Sequence, residues 1–438
     1  MKVLYLTYDG LLDPLGQSQI LPYLYGIRER LGVEYHIISF EKAARRKEEE
    51  PLRRELQQHG IRWYPLSFTK NPPLLAKVYD NWRFFRTGLA LMHREGFQLI
   101  HARSYVAGWV AHRLHRRYRV PWIFDMRGFW ADERRETKAW PPHHPFYHTL
   151  YQLWKKREAL MLHSAAHIIV LTEAAKAILL EWNIPESKIT VIPCVADYEH
   201  FKPHSEQREA YRKQLGIPSE AFVLGYLGSI GPLYEVREML RFFRVLLRIN
   251  PESYMVFFTP ASPGEIFKHS EALGIPRERL RIQFIRRKEV PLWGSVMDAS
   301  IIFCVPGFSR IGSSPTRVAE VLAMDIPMIM QADLGDNRTL SQNIAGIYLC
   351  ESFSEESYEQ LARALVRAKK EGSLRSPRDT SQPLLSLPIG LERYTAVYEQ
   401  LRQLLTLSSG SQSLLQPQSG ELLLRQPQPI SNRDAEGN

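Results

Sequence analysis

Short apolar runs recur along the chain, each followed by a longer stretch whose apolar positions return every three or four residues. KVLYLTY, YHIISF, RWYPLSF, QLIHARS, PWIFDMR, HIIVLT and KITVIPC form a first series. A second series begins after Phe201: FVLGYLG, YMVFFTP, RIQFI, ASIIFCVP, IPMIMQ and GIYLC. Nearly continuous apolar runs read as strands buried on both faces, and the amphipathic stretches between them read as helices. The alternation predicts two doubly wound α/β units built on parallel sheets.

The polar segment CVADYEHFKPHSEQR parts the two series and sets a boundary near residues 195–205. The chain then divides into residues 1–197, residues 198–385, a helical segment 386–407 containing LERYTAVYEQLRQLL, and a tail, 408–438. The tail is rich in Ser, Gln, Pro and Gly. It is expected to be disordered, because it has too little apolar surface to offset the entropy of ordering. Ligands of such sheets bind beyond the carboxyl ends of the strands, and two facing units place the natural site in the cleft between them.

Composition narrows the classes. With 44% hydrophobic and 24% charged residues the chain reads as soluble and globular, and it has no run of eighteen apolar residues that would span a bilayer. MKVLYLTYDG has one Lys, a short apolar run and no small-residue cleavage site, so it reads as a first strand and not as a leader. Cys194, Cys304 and Cys350 are widely spaced in apolar contexts, against a disulfide framework or zinc site and in keeping with a reducing cytosol. The net charge of +10 fits either a basic solvated surface or attraction to anions such as nucleotide diphosphates and anionic lipids. Nucleic acid is the weakest anionic reading: there is no zinc-finger spacing, no aromatic RNP-like strand and no continuous basic helix.

The segment GSSPTRVAEVLAMDIPMIM, Gly312 to Met330, carries the main chemical signal. Ser313 or Ser314 can cap a helix start, Pro315 suits the first helical position, and Asp325 ends the helix before a strand. A helix start offers unpaired N–H groups and a positive dipole end, which suit an anion. Glu320 lies five residues beyond Pro315, about 7.5 Å along a helix axis. A diphosphate held at the helix start leaves its ribose about that far away, where a carboxylate accepts both ribose hydroxyls. The plain alternative is a Glu on the solvent edge of the helix.

The same segment, GSSPTRVAEVLAMDIPMI, resembles the signature of family 4 (group 1) glycosyltransferases, in the bacterial variant that starts Ser-Ser-Pro-Thr-Lys/Arg. LGQSQILPYL, LIHARSY, FDMRGFWADERRE, VIPCVADYEHFKP and YLGSIGPLYEVREML match in order, and ERYTAVYEQL resembles the family's last helix, which crosses back onto the first domain. The resemblance implies the GT-B fold, two Rossmann-like domains facing across a cleft. It implies an acceptor-binding first domain, a second domain that binds the nucleotide diphosphate sugar, transfer with retention, and no required cofactor or metal.

Position by position, Glu320 resembles the second, ribose-binding Glu of the family's Glu-x7-Glu motif. The first falls at position 312, which is Gly here, so Ser313, Ser314, Thr316 or backbone amides are left to meet the donor sugar. Arg310 and Arg317 are placed to neutralise diphosphate charge as it develops in the transition state. Gly228 and Ser229, in GSIG, let backbone approach phosphate. Relatives often carry a Lys in the following turn, where this chain has Leu233 and Tyr234. Gly16, in DPLGQSQ, resembles the glycine loop that closes over donor phosphate and acceptor. Arg127, in FDMRGFW, falls near the family's catalytic-loop His; its pKa is too high for a base, so it would pin donor or acceptor phosphate. His101 and Arg103 in HARS, with Asp125, Asp132 and Glu133, form an acceptor-side set, His101 reading equally well as a core residue.

The expectation is therefore a glycosyltransferase acting on a cell-surface polysaccharide precursor, glycolipid or similar acceptor. A sugar-nucleotide epimerase of the same architecture and a non-catalytic sugar-nucleotide sensor or partner subunit are the alternatives. The chain is expected in the cytoplasm. The segment PPLLAKVYDNWRFFRTGLALMHR reads either as a core-facing helix or as a peripheral contact with the inner face of the membrane. The sequence leaves open the base, the sugar, the acceptor and the oligomeric state.

Overall fold

A computed structural model describes residues 1–411; the rest of the expected tail, 412–438, lies outside the described residues. All thirteen apolar runs become strands. The first seven are β1 (Lys2–Thr7), β2 (Glu34–Glu41), β3 (Arg62–Ser67), β4 (Leu99–Arg103), β5 (Trp122–Asp125), β6 (His167–Val170) and β7 (Ile189–Val191). They form one parallel sheet in the order β3-β2-β1-β4-β5-β6-β7. The others are β8 (Val223–Leu227), β9 (Tyr254–Phe258), β10 (Leu280–Gln283), β11 (Ala299–Ile302), β12 (Met328–Gln331) and β13 (Ile347–Cys350). Their order is β10-β9-β8-β11-β12-β13, again all parallel.

Both faces of each sheet are covered by helices, which is why the strands read as unbroken apolar runs. In β1, Leu4 and Leu6 join the core on one face while Val3 and Tyr5 join the core on the other. The first strand of each half, β1 or β8, has neighbours on both sides reached by crossovers of opposite direction. That switch point opens a crevice at the strand ends. Register sets what meets there: Thr7 pairs with Arg103, and Arg103 with Asp125.

The chain crosses between the halves twice, and the crossings are tied together. The Ala196 N–H donates to the Leu385 carbonyl at 2.9 Å, and the Leu387 N–H to the Ala196 carbonyl at 2.8 Å. From there the helix Leu387–Ser411 lies back on the first sheet, sinking Tyr394, Val397, Tyr398 and Leu401 into its core. No helix among the described residues is long and apolar enough to cross a membrane.

Candidate active site

β8 runs into Gly228, whose φ of +113° lies in the region glycine favours. A Cβ there would stand 2.7 Å from the Arg317 guanidinium carbon, so the loop backbone and this arginine are in direct contact. Arg317 is half-buried, lies 4.2 Å over the Tyr234 ring and 5.1 Å over the Tyr226 ring, and donates to the Tyr226 hydroxyl. Stacking fixes the guanidinium plane while leaving edge donors for an anion. Ser229 is exposed at the same turn.

The helix start differs from the sequence expectation. The helix is Thr316–Ala323, Pro315 occupies the N-cap, and no side chain caps the first turn. Ser314 instead accepts the Cys194 N–H from the first domain at 3.1 Å, and Ser313 donates to the Ser309 carbonyl at 3.4 Å. Both serines are drawn into contacts near the domain boundary. With Thr172, Cys194, Asp336 and Asn337 they line a cavity of about 160 Å³.

Glu320 is 8% exposed, so the solvent-edge alternative does not describe it. Its carboxylate pairs with Arg287 at 2.5 Å, and Arg287 also lies 4.9 Å over the Phe201 ring. The Glu320 carboxylate therefore has one oxygen held by a partner that its own segment did not reveal. Only the basic run RRK at 286–288 signalled cations nearby.

Arg310 is buried at 4% exposure, donates to Ser309 Oγ at 2.7 and 3.1 Å, and meets Glu133 of the first domain at 3.4 Å. It thus serves the contact between domains. Ser309 N–H donates to Glu136 at 3.0 and 3.2 Å, and Thr172 Oγ1 donates to the Ile311 carbonyl at 2.7 Å. The Asp336 carboxylate accepts the Glu173 and Ala174 N–H groups, 2.8 and 3.1 Å away, at the start of the helix Glu173–Glu181. The Phe129 and Phe308 rings are 4.7 Å apart. Position 312 lies inside this contact: a Cβ on Gly312 would be 3.1 Å from Gly128 Cα and 3.1 Å from the Phe129 ring. Position 312, where the resembled motif would carry a carboxylate, thus lies in backbone-to-backbone contact across the cleft.

On the first domain, Arg103, Asp125 and Arg127 gather at the ends of β4 and β5. Asp125 lies 3.4 Å from both guanidiniums and accepts the Tyr394 hydroxyl at 3.1 Å. Burial alone would raise its carboxyl. Arg127, the neighbouring His101 ring 3.7 Å away and Arg103 outweigh burial and hold it well below the usual carboxylate range. Arg127 also reaches Cys194 Sγ at 3.1 Å. His101, expected near the cleft rim, is interior at 2% exposure: its Nδ1 is 2.7 Å from the Tyr398 hydroxyl, and burial lowers its pKa. The two tyrosines come from the last helix, at positions four apart in ERYTAVYEQL, a spacing that puts them on one face.

Asp132 pairs with Lys155 at 2.9 Å and accepts the Tyr151 hydroxyl at 2.8 Å. Gly16 lies in the short helix Pro14–Gln19, packed on the backbone of Gly10 and Leu11. That loop is anchored by Glu41, which accepts the Leu11 and Leu12 N–H groups at 2.8 and 3.2 Å.

Two facing Rossmann-like sheets with cationic and carboxylate side chains at their switch points define the GT-B fold. Residues 16–194 match the model of the glycosyl transferase 4-like domain. D-inositol 3-phosphate glycosyltransferase of Corynebacterium jeikeium is 26% identical over 231 residues, 51% of this chain and 54% of that protein. The chain thus spans between a third and about half of the length of the first curated relatives it matches. UDP-Gal:alpha-D-GlcNAc-diphosphoundecaprenol alpha-1,3-galactosyltransferase of Escherichia coli is 20% identical over 81% of this chain and 87% of its own. Among solved structures, sucrose-phosphate synthase from Thermosynechococcus elongatus superposes with a TM-score of 0.67 at 15% identity, covering 92% of this chain and all of that one. Anabaena HepE in complex with UDP and glucose gives 0.60 at 14%, covering 95% and 100%.

Proposed function

We propose that the chain is a glycosyltransferase that moves a sugar, with retention, from a nucleotide diphosphate donor to a lipid-linked or glycan acceptor hydroxyl. The observation that carries this reading is Arg317 stacked beside Gly228, with the buried Glu320 one helical turn further on. Arg317 and the loop backbone take the diphosphate, and Glu320 takes the ribose. The related proteins support the donor and acceptor classes: HepE binds UDP and glucose, and the E. coli relative is named for a diphosphoundecaprenol acceptor. The second domain holds the donor and the first the acceptor, with Arg127 and Arg103 facing acceptor or donor phosphate.

In the reaction the bond between the anomeric carbon and the diphosphate oxygen breaks while the acceptor oxygen bonds to the same face of that carbon. The acceptor proton passes to the departing phosphate oxygen, so no enzymic base is required. Guanidinium charge meets the negative charge that grows on the leaving group. The enzyme works in the cytoplasm at the inner face of the membrane, and fixed arginines serve in place of a divalent ion.

The Gly312 contact favours one rival, a sugar-nucleotide sensor whose cleft is shut. Incubation with a panel of nucleotide diphosphate sugars separates the two. Release of free nucleotide diphosphate, with the product anomer matching the donor by NMR, is the expected result. Saturable binding without turnover across the panel establishes the sensor instead.

A further inference from the structure

Beyond Arg103 and Arg127, a second pair of cations stands at the cleft end of the first domain. Thr7 pairs with Arg103, so Tyr8 leaves β1 beside Ser104, and the crossover helix Pro73–Arg94 starts at the carboxyl ends of the same strands. Near that start the Lys77 ammonium lies 4.2 Å over the Phe68 ring and 4.9 Å over the Tyr8 ring, and it donates to the Tyr8 hydroxyl at 3.2 Å. The hydroxyl donates in turn to Asp80 at 3.0 Å. Asp80 is wholly buried. The same oxygen accepts the Thr69 N–H at 3.1 Å, and the other, 3.9 Å from Arg83, has no hydrogen-bond partner. A buried carboxylate thus fixes a phenol, and the phenol fixes an ammonium. Keeping a carboxylate inside is costly, which sets this chain of groups apart from ordinary core packing.

Arg134 stands opposite on the helix Trp130–Glu136, its guanidinium 5.3 Å over the Trp130 ring. Among the described residues neither Lys77 nor Arg134 has a carboxylate within ion-pair distance, and Asp9, the acid that follows Tyr8, is met by Arg103 at 3.5 Å. Burial against the rings lowers the Lys77 pKa, Asp80 opposes that shift and Arg134 adds to it, so the two cations are near enough to repel. Ring faces fix both cations while leaving N–H donors free, a combination that suits phosphate oxygens with a sugar beside them. We infer that Lys77 and Arg134 clamp a phosphate or diphosphate ester of the acceptor, so that an anionic acceptor is taken in preference to a neutral glycan. A phosphorylated sugar and a sugar on a lipid diphosphate share this group. The inference rests on the proposed place of the acceptor on the first domain, while the anion site itself needs no turnover.

Protection of Lys77 from acetic anhydride, read by mass spectrometry on the full chain, tests it with inorganic pyrophosphate and inorganic phosphate as probes. These anions slow acetylation of Lys77 several-fold and leave the exposed Lys70 as it was. Protection at a lower concentration of pyrophosphate points to the lipid diphosphate as the source, and at a lower concentration of phosphate to a phosphorylated sugar. Arg134→Met raises the concentration needed roughly tenfold to a hundredfold, as for loss of a charged hydrogen bond. An unchanged thermal midpoint shows that the variant folds. Protection survives in Arg317→Ala, which strips the donor diphosphate end, so failure of the donor reading leaves this site standing. Acetylation of Lys77 unaffected by both anions, protection that disappears in Arg317→Ala, or protection undiminished by Arg134→Met each overturns the inference.

Discussion

Gly312 and Gly128 meet backbone to backbone across the domain boundary, close enough that a side-chain carbon at 312 would stand 3.1 Å from Gly128 Cα. A carboxylate side chain at this position and the domain contact seen here exclude one another. Gly312→Ala is expected to cost about 1–3 kcal/mol of stability by overpacking. Gly312→Glu holds the domains apart, read as a larger radius of gyration by small-angle scattering. A radius and thermal midpoint equal to the parent's in both variants would contradict this account of the glycine.

Arg317→Ala removes the guanidinium that touches Gly228 and is expected to lower kcat/KM roughly tenfold to a hundredfold, as for a charged hydrogen bond of about 1.5–3 kcal/mol. Arg317→Lys recovers little, because an ammonium cannot lie flat on Tyr234 and Tyr226. Calorimetry with nucleotide diphosphate checks the binding share, and full recovery by lysine would show that charge alone matters.

For Glu320, removal of the carboxylate by Glu320→Ala weakens nucleotide binding by about 1.5–3 kcal/mol. Unchanged affinity refutes the ribose role. Arg287→Ala is the companion test, since it removes the guanidinium paired with that carboxylate without touching the phosphate end.

Much of this arrangement is legible along the chain, for a physical reason. A strand buried on both faces must be apolar throughout, so the central strands of both sheets announce themselves locally, and Glu320 stands out as a carboxylate in an apolar helix. What is not legible depends on partners far away in sequence. Arg287 is 33 residues from Glu320, and Tyr398 is 297 residues from His101. Ser313 and Ser314 have the chemistry of helix caps, yet their surroundings near the first domain offer other partners. Gly312 reads as a lost carboxylate until Gly128 is seen against it.

Asp125 lies 3.4 Å from both Arg103 and Arg127, so Asp125→Asn leaves Arg127 buried with no carboxylate partner and Arg103 with Asp9 alone, 3.5 Å away. The expected loss is about 3–5 kcal/mol in urea unfolding. Because the folded carboxyl lies below its unfolded value, its contribution is present above about pH 4 and is lost as the pH falls through the folded value. A loss under about 1 kcal/mol would show that the arginines find other partners.

His167 acts in the same sense, over a higher pH interval. Burial lowers its pKa to about 4, so the fold favours the neutral ring. Its stabilisation is complete above the unfolded value near 6.5 and drains away as the pH falls toward 4, by up to about 1.4 kcal/mol per pH unit. His167→Gln is expected to flatten the stability profile over that interval by up to one proton. An unaltered slope would place the acid sensitivity elsewhere.

Tyr394 and Tyr398 are made near the end of translation, yet they shield His101 and Asp125, which are made near its beginning. While the ribosome is still working through the second sheet, the first has its strands but no roof over its most polar interior. The earliest part of the protein therefore finishes last, and a chain cut short at residue 386 keeps every strand while leaving that ionic group wet.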